Sequence, residues 1–215
     1  MIKLANITQV FQDGHSSVTV LDDFSHTIEK ASITVIVGPS GCGKTTLLNI
    51  MGGLLHPTSG RLLFDDLDYY SLSARQQAIF RSQNIGYVFQ DFYLIDDLSL
   101  VDNVLLSMNT VAQSRSQKRE TAKELLSLLG LSERIQWNTK NLSGGEKQRV
   151  AIARALANKR NIILCDEPTG NLDEESAAGI IDVLLSLKRS GNTVVMVTHN
   201  MRHAEIADVL IDLSR

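Results

Sequence analysis

The sequence has few residues that cross-link, stiffen or interrupt a chain. Its 215 residues include two cysteines, three prolines and one tryptophan. Cys42 and Cys165 lack the spacing of a metal site, which excludes a zinc module and a disulfide scaffold and fits a reducing compartment. Because prolines are scarce and no repeat or low-complexity segment is present, no flexible linker divides the chain. We expect one domain over residues 1–215.

Long apolar runs are also missing. No run approaches the roughly 18 apolar residues of a membrane-spanning helix. The start of the chain, Met1 to Asn6, lacks the charged and apolar regions of a signal peptide. We therefore expect a cytoplasmic protein.

A strong excess of one charge is absent. The chain carries 21 basic and 24 acidic residues, for a net charge of −3. Its densest basic stretch, residues 115–124, also contains Glu120 and Glu124, and such mixed charge is typical of a solvated helix face. Without a basic face, nucleic acid is not expected as a partner.

A glycine-rich loop is the most informative feature that is present. It follows the apolar run Ile33 to Val37, precedes a helical pattern and fits the motif G-x-x-x-x-G-K-[ST]. The motif and the residue after it are Gly38, Pro39, Ser40, Gly41, Cys42, Gly43, Lys44, Thr45 and Thr46. Where a glycine loop joins a strand to the start of a helix, backbone N–H groups and the positive end of the helix dipole are directed at a phosphate chain. The pattern predicts nucleoside triphosphate binding, with Lys44 on the β and γ oxygens and Thr45 on Mg²⁺.

Two adjacent acids end another apolar strand pattern, Ile162 to Cys165. Hydrolysis requires one carboxylate that holds Mg²⁺ through its water shell and another that orients or deprotonates the attacking water. We assign Asp166 to the metal and Glu167 to the water. The alternative is a pair that only solvates a strand end, and the phosphate loop upstream favours the catalytic interpretation.

A second glycine-bearing helix start occurs at residues 142–146. Ser143 and Glu146 form S-x-x-E, which predicts a capping box. A helix N-terminus with glycines is also an anion site, and both interpretations can hold together. One nucleotide does not need two such sites in one chain. We therefore expect Ser143, Gly144, Gly145 and Glu146 to face a phosphate bound to another copy.

The order of these patterns predicts an α/β fold. Residues 2–28 are expected to form short antiparallel strands around a turn at 12–14, and later apolar strands alternate with helices, as in a mostly parallel sheet. The region 101–136 is helical without strands and looks like a subdomain inserted into the core. The predicted strands are 2–8, 18–21, 24–28, 33–37, 85–88, 161–166, 193–197 and 208–212, and the predicted helices of the insert are 101–108 and 118–129, with a short piece near Glu133.

These motifs occur in the order found in ATP-binding cassette proteins, which the sequence resembles over essentially its whole length. The motifs are the phosphate loop, Gln90, Leu142 to Glu146, Asp166-Glu167, Asn171-Leu-Asp173 and His199. The sequence is most similar to the ATPase subunits of the lipoprotein-release and macrolide-exporter group. The resemblance implies a RecA-like P-loop NTPase core with an N-terminal antiparallel β-subdomain, formed by residues 1–90 and 142–215, and a helical subdomain at 91–141.

The resemblance also implies roles for single residues. Phe11 is similar to the aromatic residue that stacks on adenine, the alternative being a buried core side chain. Gln90 is similar to the glutamine that touches Mg²⁺ and water, and residues 91–98 would receive a membrane partner. Asp173 is similar to the aspartate that crosses the dimer interface. His199 is similar to the histidine that contacts the γ-phosphate and the catalytic water.

Four positions depart from the family pattern. Cys42 stands where serine is common, Glu146 where glutamine is usual, Thr139 where proline is frequent in the closest group, and Asn200 where aspartate is frequent. None of these changes removes a group that the chemistry requires. The chain ends at Arg215, soon after its last predicted strand, so no regulatory extension is expected.

The resemblance implies an ATPase whose two copies sandwich two ATP molecules with Mg²⁺ and power a separate integral membrane permease. The chain would then lie on the cytoplasmic face of the membrane through that permease. One alternative is a cell-division ATPase whose membrane partner moves no solute. Another is a soluble cassette of DNA repair, chromosome organisation or translation, which the short interval from Gln90 to Leu142 opposes because it leaves no room for a long coiled coil.

Overall fold

Two β-sheets organise the fold, which a computed structural model describes for residues 1–14, 16–108 and 113–214. The strands are β1 (Ile2–Asp13), β2 (Ser16–Ile28), β3 (Ile33–Val37), β4 (Ser59–Phe64), β5 (Leu67–Asp68), β6 (Ile85–Val88), β7 (Ile162–Asp166), β8 (Thr193–Val197) and β9 (Val209–Asp212). The helices are α1 (Lys44–Met51), α2 (Ala74–Asn84), α3 (Leu100–Leu106), α4 (Arg115–Leu128), α5 (Gly144–Leu156) and α6 (Glu174–Arg189). Short 3-10 turns lie at Tyr69–Ser71, Ser132–Arg134, Thr139–Asn141 and Met201–Ile206.

The central sheet is parallel, with the strand order β6-β7-β8-β3-β9. Every residue of β3 and β8 is buried, as expected for parallel strands covered on both faces. Val35 and Val194 face an apolar cluster that includes helices α3 to α6, whereas Ile36 and Val195 face a second cluster with α1 and the antiparallel sheet. The sheet is therefore the middle layer of the molecule.

The carboxyl ends of the parallel strands carry the motif residues. The phosphate loop follows β3, Asp166 ends β7, His199 follows β8 and Gln90 follows β6. Since parallel strands end at one edge of a sheet, the topology gathers these four segments on the same edge, where open α/β sheets bind ligands.

The antiparallel sheet, in the order β2-β1-β4-β5, differs from the prediction. Strand β1 continues beyond the predicted end at residue 8 as far as Asp13. The separate strands predicted at 18–21 and 24–28 are wrong, because β2 runs continuously from Ser16 to Ile28. Its pairing with β1 continues through irregularities near Asp23, which takes a left-handed backbone with φ of 48° and donates its N–H to Thr8 Oγ1 over 3.1 Å. The strands β4 and β5 and the helix α2 were not predicted.

The helical block begins earlier than expected. Helix α4 starts at Arg115 because Ser114 and Gln117 form a capping box, and α3 spans Leu100–Leu106. Leu126 and Val104 of this block share one apolar cluster with Val35 of the central sheet. The division into a helical subdomain at 91–141 and a core at 1–90 and 142–215 stays a prediction. In the described ranges, no helix has the length and apolarity needed to cross a membrane.

Candidate nucleotide site

The phosphate loop requires its glycines for conformation and for space. Gly38, Gly41 and Gly43 have φ of 147°, 80° and 100°, which residues with a Cβ rarely adopt. A Cβ on Gly38 would lie 2.7 Å from the Cys42 sulfur. The Lys44 side chain is buried, and its ammonium donates to the carbonyls of Gly38 and Pro39 over 2.8 Å each. The Lys44 side chain therefore lies across the phosphate loop, where it is predicted to contact the phosphates of a bound nucleotide.

The other residues of the loop differ in exposure. Pro39, Ser40 and Gly41 are exposed, whereas Cys42 and Thr46 are half-buried. Gly43 caps the N-terminus of α1 in a left-handed conformation. Pro39 to Gly41 of the loop and the exposed Thr45 of α1 thus lie open to a ligand approaching from solvent.

Thr45 and Asp166 join the loop to the end of β7. The Thr45 hydroxyl donates to Asp166 Oδ1 over 3.1 Å. Burial raises the pKa of Asp166, and Glu167 next to it adds to the effect, while the hydrogen bond from Thr45 lowers it. In the described residues, no group of three His, Cys, Asp or Glu side chains could hold a metal alone. The hydroxyl and carboxylate fit Mg²⁺, which prefers oxygen ligands and takes the rest from water and phosphates.

Glu167 and His199 meet beside this pair. Glu167 has a left-handed φ of 47°, and its N–H donates to the Val197 carbonyl over 3.0 Å. Its Oε2 lies 3.0 Å from His199 Nδ1, with the glutamate side chain 14% exposed and the histidine 69% exposed. The two atoms are at ion-pair distance without hydrogen-bond alignment, so Oε2 accepts no hydrogen bond from the described residues. A buried carboxylate oxygen with a free lone pair is suited to accept a proton from water.

Gln90 contacts a residue to which the sequence assigned no separate role. The Gln90 side chain donates to Asn171 Oδ1 over 3.4 Å, and the Asn171 side chain donates to the Gln90 carbonyl over 3.3 Å. This pair connects the end of β6 to the Asn-Leu-Asp segment before α6. In the sequence, the contact between Gln90 and Asn171 is indicated by the place of Asn171 in the motif Asn171-Leu-Asp173.

The start of α5 forms the predicted capping box. The Glu146 N–H donates to Ser143 Oγ over 3.3 Å, and the Ser143 N–H donates to Glu146 Oε2 over 2.9 Å. A Cβ on Gly145 would lie 2.9 Å from the Ser176 hydroxyl, so α5 begins in close contact with α6. In the described residues, no hydrogen bond joins this segment to the phosphate loop of the same chain.

Asp173 caps helix α6. Its Oδ1 accepts from the Ser176 N–H and its Oδ2 from the Ser176 hydroxyl, both over 2.8 Å. The bond from the Ser176 backbone lowers the pKa of Asp173, and the hydroxyl bond adds to it. Phe11 is 40% exposed in β1, so its alternative interpretation as a buried core residue is wrong. The interface role of Asp173 and the adenine role of Phe11 stay predictions.

Sequence reasoning missed two basic residues near the site. His203 is buried, and its burial lowers its pKa. The distance between His203 Nδ1 and Thr198 Oγ1 is 3.3 Å. Arg154 of α5 donates to the carbonyls of Phe92, over 2.6 Å, and of Tyr93. Both carbonyls belong to residues with positive φ just after Gln90. The partners of Arg154 come from a separate segment of the chain, and the contact of His203 with Thr198 depends on the 3-10 turn after β8, so neither contact has a signal in the sequence.

Comparison with known proteins agrees with this arrangement. The family described as ABC transporter matches residues 21–170. An uncharacterized ABC transporter ATP-binding protein of Methanocaldococcus jannaschii is 41% identical over 99% of this chain and 95% of its own length. The lipoprotein-releasing system ATP-binding protein LolD of Idiomarina loihiensis is 38% identical over 95% of this chain and 90% of its own length. The macrolide export ATP-binding/permease protein MacB of Bartonella henselae is 41% identical over the whole chain, which spans 32% of that relative.

A solved structure is similar over the full chain. It is the dimeric post-hydrolysis state of the ATP-binding cassette MJ0796 bound to ADP and Pi, with a TM-score of 0.90 and 37% identity over 100% of this chain and 94% of that one. The chain therefore belongs to the ABC transporter family and is one of its ATP-binding ATPase cassettes. The predicted α/β P-loop fold and the family resemblance are confirmed.

Proposed function

We propose that two copies of this chain meet head to tail on ATP and hydrolyse it to drive a separate membrane permease. One observation carries the proposal: the chain has two glycine-bearing helix starts, at α1 and α5, and no hydrogen bond joins them in the described residues. Each is suited to hold an anion, yet one nucleotide needs one cradle. A second copy would complete the site, and the dimeric form of the MJ0796 cassette with ADP and Pi supports this.

Each of the site residues would have its own role in ATP hydrolysis. Lys44 would bind the β and γ oxygens, while Thr45, Asp166 and Gln90 would hold Mg²⁺, which would neutralise charge on the phosphates. Glu167 would accept the proton of the attacking water, with His199 orienting that water against the γ-phosphate. Ser143 and the N–H groups of α5 in the partner would cover the same γ-phosphate.

Mixing two inactive variants tests the shared site. Lys44→Ala removes the phosphate-loop cation, whereas Ser143→Asp keeps an N-cap and sets a negative charge against the γ-phosphate. Each protein alone is expected to be nearly inactive. In a mixed dimer, the intact loop of one chain meets the intact α5 start of the other, so activity returns. A mixture as inactive as its components would contradict the proposal.

A groove lined by residues of α2, β6 and α5 supports docking of a permease. It has a volume of about 340 Å³ and apolar walls that include Tyr87 and Phe89. Arg81, Arg154 and Arg160 also line it, and they donate hydrogen bonds to backbone carbonyls and to one tyrosine hydroxyl. With no carboxylate paired to these arginines in the described residues, an acidic and apolar segment of a cytoplasmic permease loop would fit here.

The names of the relatives favour transport or lipoprotein release over the alternative of a cell-division ATPase. We place the chain on the cytoplasmic face of the membrane, where a permease would hold it. Co-purification of a tagged copy with a multispanning protein tests this placement. Recovery of the chain with ribosomes or DNA in a salt-sensitive manner would contradict it.

A further inference from the structure

Glu146 is held from two sides at the start of α5. Its Oε2 accepts the Ser143 N–H within the capping box, and its Oε1 forms an ion pair with Arg134 Nη1. The Glu146 side chain is 15% exposed and that of Arg134 is 40% exposed. The carboxylate therefore has both oxygens engaged, one by its own helix and one by a cation from another segment.

Arg134 reaches this position from the helical block. It ends the 3-10 turn Ser132–Arg134, and its guanidinium carbon lies 4.9 Å from the ring centroid of Trp137. The backbone N–H of Trp137 donates to the Arg134 carbonyl over 2.8 Å. The ring and the turn orient the guanidinium before it meets Glu146, which reduces the entropy that the ion pair must overcome.

The negative charge of Glu146 opposes the binding of a phosphate group that is proposed for the start of α5. A carboxylate in the first turn stabilises the isolated helix through its dipole. It also repels a triphosphate placed at the same N-terminus, and the repulsion is strong where water is excluded. Arg134 supplies one positive charge directly on that carboxylate, so the pair presents no net charge to a phosphate.

We propose that Arg134 is a positioning residue that neutralises Glu146 and orients the Ser143 cap toward the γ-phosphate of a second copy. The inference rests on the proposed two-copy site. It assigns to the helical block a cation that acts through Glu146 and does not touch nucleotide.

Charge-neutral variants test the inference. Arg134→Gln keeps length but leaves Glu146 uncompensated, Glu146→Gln keeps the capping box, and the double variant removes both charges. In a Glu167→Gln background, ATP-driven dimerisation is followed by size-exclusion chromatography across ATP concentrations. Arg134→Gln is expected to need about tenfold more ATP, as repulsion from a single bare charge predicts. Glu146→Gln leaves Arg134 as the uncompensated charge and is expected to need less ATP than the parent, whereas the double variant is expected to return to the requirement of the parent.

Rescue separates electrostatics from packing. If Arg134 only supports its turn against Trp137, the double variant stays as weak as Arg134→Gln, and the inference is wrong. An unchanged ATP requirement in Arg134→Gln also overturns it. Arg115→Gln, an exposed arginine of α4, is the matched control and is expected to change nothing. If the Glu167→Gln parent forms no dimer at any ATP concentration, the two-copy function and this inference both fail.

Discussion

Glu167 Oε2 lies 3.0 Å from His199 Nδ1, at the carboxyl ends of the neighbouring strands β7 and β8. The glutamate is almost buried and the histidine is mostly exposed, so the pair spans the boundary between the core and solvent. A water molecule between this pair and a γ-phosphate would meet a base on one side and a hydrogen-bonding ring on the other.

Replacing Glu167 by glutamine tests the base. The change preserves shape and removes the proton acceptor, so ATP is expected to bind while turnover falls on the order of 10²- to 10⁴-fold. Because the dimer reopens only after ATP hydrolysis, the variant is expected to accumulate as a dimer with ATP. Phosphate release and size-exclusion chromatography measure both effects. Near-normal turnover would show that Glu167 is not the base.

The Thr45 hydroxyl is expected to determine the magnesium requirement. Thr45→Val removes the donor to Asp166 Oδ1 and the oxygen proposed as a metal ligand, at nearly constant volume. ATPase activity measured against Mg²⁺ concentration is expected to need at least about tenfold more Mg²⁺, since one inner ligand is lost. Thr121→Val in α4 is the control. Equal Mg²⁺ curves for the parent and Thr45→Val would contradict the assignment.

Asp208 is expected to make stability depend on pH. Its Oδ1 accepts from Lys188 Nζ over 2.5 Å and its Oδ2 from the Ile33 N–H over 2.7 Å, and these bonds, the lysine bond first, lower the pKa of Asp208. The folded pKa lies below the unfolded value near 4, so the stabilisation is present above pH 4 and is lost as the pH falls through the folded pKa. Asp208→Asn is therefore expected to lower Tm by about 2–4 °C near neutral pH.

Melting curves between pH 2.5 and 7 check this sign. The Tm difference between the parent and Asp208→Asn is expected to be constant above about pH 5 and to shrink below pH 4. Asp66→Asn, at an exposed position, is the control and is expected to show little difference. A difference that grows as the pH falls would contradict the argument.

Two glycines are expected to respond oppositely to alanine. A Cβ on Gly86 would lie 2.9 Å from the Ala155 carbonyl carbon, so β6 and α5 would have to separate. Gly86→Ala is expected to destabilise the fold by about 1–3 kcal/mol, as overpacking does. Gly179 in α6 has open space at its Cβ, and Gly179→Ala is expected to stabilise by about 0.5–1 kcal/mol. Urea unfolding measures both, and a neutral Gly86→Ala would show that the contact relaxes freely.

The reliability of sequence prediction followed burial. Strands β3, β6 and β8 were predicted with their observed ends because buried parallel strands are continuous apolar runs. Helix α2 has no buried residue, so it carries no apolar period and was missed. Strand β2 was predicted as two strands, 18–21 and 24–28, whereas it runs from Ser16 to Ile28 and pairs with β1 on both sides of Asp22-Asp23.

The sequence alone determined the local chemistry of this protein. The phosphate loop, the capping box at Ser143 and the acids after β7 depend on neighbouring residues, and such short spacings can be read directly from the sequence. Tertiary structure decided which distant residues meet, such as Arg134 with Glu146 and Gln90 with Asn171. Those contacts arise because helices and strands from separate parts of the chain bury their apolar faces together, and no local pattern encodes which polar side chains that packing brings into reach.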